Sequence, residues 1–132
     1  MYRHLAIDNF MYYFDMDSFG QLIVKDLKED EDSNSFKTGF LKGIKTGITK
    51  LPQKIINEVE AGSYYDFVNY SYSEIDETYY ILFRMFSAET GINYHDYRVS
   101  VLNGKFVFND IYIYLSAEEI SKTFRRFYIY NL

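Results

Sequence analysis

His95 and Asp110 are the residues of this 132-residue chain whose types and placement could support proton transfer. Each lies in a stretch of alternating polar and apolar residues, Asn93–Leu102 and Lys105–Leu115, and both stretches read as strands. Between them Asn103-Gly104 tolerates the positive φ that a type I′ hairpin demands. Such a turn sets the register, so opposed residue numbers should sum to 207. Val101 then opposes Phe106, Val99 opposes Phe108, Tyr97 opposes Asp110 and His95 opposes Tyr112, all on one face. On that reading an imidazole, a carboxylate and two phenols meet at the polar end of an apolar ribbon. His95 would act as general base, Asp110 would orient it, and Tyr97 or Tyr112 would donate a hydrogen bond. The same cluster can simply satisfy buried polar groups, which is the commoner role for such sets. Ser100 falls on the opposite face, so a nucleophilic triad is not expected.

Other chemistries find less support. His4 and His95 are the only histidines, and neither has a second ligand at metal spacing. No metal and no cofactor is expected. The acidic run within Lys28–Ser35 lacks the alternating ligands and the glycine of a calcium loop, and reads as a solvated loop. Gly39–Thr46 has the wrong glycine and lysine spacing for a phosphate-binding loop.

The elements that must position these residues divide the chain in two. Residues 1–62 read as helical, 63–115 as sheet and 116–130 as a terminal helix, together one α+β domain. Leu5, Asn9, Met11, Tyr12 and Phe14 mark a first helix; Asp17 or Ser18 can cap a second, carrying Phe19, Leu22, Ile23 and Leu27. Phe36, Phe40, Ile44 and Ile48 mark a third, with Gly39, Gly43 and Gly47 as a parallel stripe that suggests close approach of another backbone. Pro52 suits the first turn of a fourth helix ending at Gly62. Two further strands are expected at Tyr64–Tyr72 and Thr78–Ser87. Ser116–Glu119 has the form of a capping box opening a last helix with Ile120, Phe124, Phe127 and Tyr128 inward, and Arg125 and Arg126 favourably placed for its dipole.

Hydrophobic residues make up 48% and aromatics 20%, enough for a packed core. A net charge of −5 argues against non-specific binding to nucleic acid or anionic lipid. No segment approaches the roughly 20 apolar residues needed to span a bilayer. With Met1 as a native start, the chain would be cytoplasmic.

The element order, helices followed by long antiparallel strands, resembles the NTF2-like group of cone-shaped α+β domains, close to the cystatin-like fold. Gly91–Tyr97 and Asp110–Ser116 are also similar to an uncharacterised set of bacterial domains, over about Phe10 to Phe127. The resemblance implies N-terminal helices packed on a curved, mainly antiparallel sheet of four or more strands, which can enclose a pocket. In enzymes of that group a pocket Asp or His transfers protons, and here His95 and Asp110 are the positions that invite the analogy. A terminal helix where many such chains end in a strand is a departure. Superfold membership does not supply function. The expectation is therefore a non-catalytic binding or dimerisation module with an aromatic pocket or surface. Tyr97, Phe108, Tyr112 and Tyr114 would form it. A homodimer through the sheet, a small apolar ligand or a protein partner is expected, and no nucleic acid. The alternative is a cofactor-free isomerase, dehydratase or hydrolase acting on a small hydrophobic substrate.

Overall fold

The computed structural model describes residues 2–27 and 31–131, with side chains described for 5–27 and 34–131. Three helices come first: α1 (Tyr2–Tyr13), α2 (Met16–Val24) and α3 (Glu31–Glu60). Four long strands follow, β1 (Tyr64–Ser73), β2 (Thr78–Ser87), β3 (Gly91–Leu102) and β4 (Lys105–Ile113). A two-residue β5 (Glu118–Glu119) leads into α4 (Ile120–Tyr130). The strands form one antiparallel sheet in the order β1-β2-β3-β4-β5. This is the expected α+β layout.

All four helices pack on one face of the sheet. Phe14, just past α1, and Phe19, Ile23, Ile44, Ile48 and Tyr128 from the helices meet Tyr97, Val99, Phe108 and Ile111 from β3 and β4 in a single buried cluster. The helix stripes differ from expectation in detail. In α1, Leu5 and Tyr12 are exposed and Phe10 and Phe14 face inward against Phe108. In α4, Phe127 is exposed while Phe124 and Tyr128 are inside.

Four helix boundaries are corrected. The cap of α2 is Asp15, whose carboxylate accepts the Ser18 N–H at 3.1 Å, with Asp17 in the first turn. The third and fourth helices are one, and Pro52 lies inside it. Pro52 is buried there, and its missing N–H leaves one break in the helix's hydrogen-bond ladder. Of the acidic stretch read as a loop, Lys28–Asp30 lie outside the described residues, and 31–35 already belong to α3. The capping box at Ser116–Glu119 does not form: Ser116 Oγ donates to the Ile113 carbonyl, and Glu118 and Glu119 pair with β4. Arg125 caps the neighbouring helix instead of its own, donating to the Ile23 and Lys25 carbonyls at 2.9 and 2.7 Å. In the glycine stripe only Gly47 is closely approached, where an added Cβ would meet the Phe124 ring at 3.2 Å; Gly39 and Gly43 face open space.

The hairpin turn behaves as expected, with φ of 53° at Asn103 and 76° at Gly104. Opposed numbers sum to 207 from Leu102/Lys105 through Val99/Phe108. A bulge then inserts one residue at Asn109, and from Arg98/Asp110 onward the sum is 208. One inserted residue exchanges the two faces of β4 for the rest of the strand. Ile111 and Ile113 take the inward positions opposite Tyr97 and His95, and Asp110 and Tyr112 turn to the outer face opposite Arg98 and Asp96.

Candidate functional site

The bulge separates the expected cluster into two unrelated sets. On the inner face, His95 is only 5% exposed and sits in a chain of hydrogen bonds. Asn93 Oδ1 accepts the backbone N–H groups of Tyr94 and Leu115, at 2.8 and 3.0 Å, which fixes its amide. Its Nδ2 therefore donates to His95 Nε2 at 3.3 Å, so the neutral ring carries its proton on Nδ1. That proton goes to the Tyr65 hydroxyl at 2.9 Å, and Tyr65 in turn donates to the Tyr97 hydroxyl at 2.7 Å. Burial, reinforced by the Lys54 charge, pushes the His95 imidazole down to about 4. Burial likewise raises Tyr65, and it raises Tyr97 to about 12. Near neutral pH every member is uncharged, and neither nitrogen of His95 has a free lone pair for a substrate proton.

Asp110 lies elsewhere. Its Oδ1 accepts the Ser121 N–H at 3.1 Å and the Ile111 N–H at 3.0 Å, and its Oδ2 accepts the Ser121 hydroxyl at 2.5 Å. Ser121 is the second residue of α4, whose own cap residue, Glu119, makes no side-chain bond to a backbone N–H of the helix. A strand carboxylate thus does the work normally done by the N-cap side chain, satisfying an orphan N–H at the positive end of the helix. Burial raises the Asp110 pKa, with the Ser121 and Ile111 bonds opposing. The expected His95–Asp110 pair is not assembled, because the bulge sends the two side chains to opposite faces.

Of the expected aromatic set, Tyr97 and Phe108 do meet on the inner face, with ring centroids 5.3 Å apart. Tyr112 and Tyr114 are on the outer face, where they contact each other and Tyr94. Arg98 lies over the Tyr80 and Tyr112 rings there, and it pairs with Asp96 at 3.0 Å and Glu119 at 3.8 Å. A cleft of about 540 Å³ opens beside Arg98, Tyr80 and Asp110 under the ends of α2 and α4. Its charged groups largely face one another: Lys122 pairs with Glu119, Arg125 is committed to α2, and Tyr80 donates to Asp76. Among the described residues no three His, Asp or Glu side chains are grouped to hold a metal ion. No helix among them is long and apolar enough to cross a membrane.

The surface that sequence reasoning missed is β1. Eight of its ten residues are exposed, and among the described residues it pairs with β2 alone. Tyr64, Phe67, Tyr70 and Tyr72 are exposed on it by 64%, 56%, 66% and 48%. The inner side of this half of the sheet continues the patch: Tyr72 contacts Tyr79, which contacts Phe106, itself exposed. The helices cover β3 and β4 and leave this strip open. A long run of aromatics without lysine was the available signal, since burial and exposure cannot be told apart by alternation alone.

No protein-family model matches the chain, and no curated protein matches it significantly.

Proposed function

We propose that the chain is a non-catalytic binding module of NTF2-like architecture whose working surface is the open aromatic strip along β1 and the adjoining inner face of β2. The observation that carries this reading is the exposure of Phe67, Tyr70 and Tyr72 along the inner face of one strand, with Tyr64 exposed on its other face. Exposed apolar patches of this size on soluble proteins mark sites of interaction. Tyrosine suits such a surface because it supplies rigid contact area and a polar tip at low entropic cost. The catalytic alternative draws no support from His95, whose two ring nitrogens are both engaged.

The test is an NMR screen of small aromatic and aliphatic fragments against the labelled protein. Shift changes should concentrate on the amides of Phe67, Tyr70, Tyr72, Tyr79 and Phe106. Changes centred instead on Tyr65, His95 and Tyr97 would return the argument to an acid–base site, and a strip that ignores every fragment would contradict the proposal.

A further inference from the structure

Resting on the reading of β1 as the working surface, we infer that its occupant is a second copy of this chain, joined edge to edge by antiparallel β1–β1 pairing about a two-fold axis. The two sheets would become one continuous sheet. Three observations support this partner over others.

The first is the contrast with how this protein treats its other edge. Beside β4, the Asp15 N–H donates to the Phe108 carbonyl at 2.8 Å, and β5 pairs with Tyr112 and Ile113. The β1 edge has ten residues, no proline and no lysine or arginine. Its protective features are the bulge at Val68 and the single charge of Asp66. Free edges of this length and composition template pairing with another chain unless blunted. In a natural sequence, leaving it unblunted fits an edge meant to be paired.

The second is charge. A chain of net charge −5 repels its own copy, so self-association favours the least charged surface. The sole charged residue of β1 is Asp66, which Arg84 of β2 approaches to 3.8 Å. With the two-fold near Val68 and Asn69, the two Asp66 side chains lie about five residues apart along the paired strands. At ~3.4 Å per residue that is about 17 Å, beyond the Debye length at physiological salt. Antiparallel pairing is therefore self-compatible, and an acidic peptide gains nothing there.

The third is area. Flanking the edge, Phe67, Tyr70 and Tyr72 on the inner face and Tyr64 on the outer together expose at most on the order of 500 Å² of aromatic surface. With Val68 and the backbone edge added, this approaches the roughly 800 Å² per partner of a standard interface.

The absence of cysteine makes the test direct. Single cysteines are placed along β1, including Phe67→Cys, Val68→Cys, Asn69→Cys, Tyr70→Cys and Ser73→Cys, and sedimentation velocity is run on the wild type. The wild type should sediment as a concentration-dependent dimer. Under mild oxidation homodisulfide yield should peak at one or two neighbouring positions between Phe67 and Tyr70 and be lowest at Ser73. In an antiparallel pair only positions at the two-fold bring their own copies within disulfide reach. A wild type that stays monomeric at every concentration overturns the inference, as does a dimer whose β1 cysteines cross-link without a central maximum or not at all. Fragment binding to the strip would survive either result, so failure of the dimer and failure of the binding reading are separable.

Discussion

The two long edges of the sheet are built on opposite principles. The β4 edge is closed by the Phe14–Asp15 segment at one end and by β5 at the other, and between them Asn109 donates to Ser18 Oγ at 2.9 Å. The β1 edge is open at its backbone, and its residues are exposed except Tyr65 and Ser73. The protein's polar side chains follow the same division. Those drawn into the packed region, His95, Tyr97 and Asp110 with Tyr65 reaching in from β1, are spent on one another or on a helix end. On β1 the tyrosine hydroxyls of Tyr64, Tyr70 and Tyr72 point into solvent-exposed surroundings. Chemistry-bearing residue types thus ended up in the half with structural work to do, and the half available to a partner carries contact area.

Substitutions should break this contrast in a graded way. Phe14→Ala, at the closing segment of β4, removes a buried ring packed on Phe10, Phe19 and Phe108 and should cost ~3–5 kcal/mol in urea unfolding. The next largest effect is pH-dependent. The folded His95 pKa of about 4 lies below its ordinary 6.5, so the unfolded chain takes up the proton first. The resulting stability is complete above pH 6.5 and falls away as pH drops toward 4, by about 3 kcal/mol. Asp110, raised above 3.8, acts with opposite sign at the low end of that window. The slope is therefore assigned by comparing the wild type with His95→Gln, which should flatten the profile between pH 6.5 and 4; an unchanged slope would mean the imidazole is not the titrating group. Asp110→Ala uncaps α4 and strands the Ser121 N–H and hydroxyl, costing about 2 kcal/mol. Asp110→Asn keeps an acceptor and should recover part of that, read from thermal unfolding. Smallest in stability is Tyr70→Lys on the open edge, within ~0.5 kcal/mol of wild type. The same substitution should nonetheless abolish fragment binding to the strip.

Much of this division can be read from the chain before folding, and the part that cannot has a specific cause. The four strands stand out because alternation is strong and Asn103-Gly104 permits one tight turn geometry. The candidate site failed at a single residue. Inward apolar positions run Phe106, Phe108, then Ile111, Ile113, so the two-residue step becomes three across Asn109-Asp110. That skip is the mark of a bulge, and counting it would have placed Asp110 opposite Arg98. Tyr65 was harder to find. The β1–β2 and β2–β3 connections carry no Asn-Gly or Asp-Gly pair, so no sequence signal there fixes which β1 residue lies near His95. The union of α3 across Pro52 was hidden for another reason: local propensity ends a helix there, yet the helix runs on to Glu60.

Amide hydrogen exchange, followed across a range of protein concentrations, compares the two edges most directly. The account predicts that β4 amides from Phe108 to Ile113 exchange slowly at every concentration. Outward-pointing β1 amides from Phe67 to Tyr72 should exchange fast when dilute and become protected as concentration rises. Protection of β1 that does not change with concentration, or an edge of β4 as labile as that of β1, would contradict it.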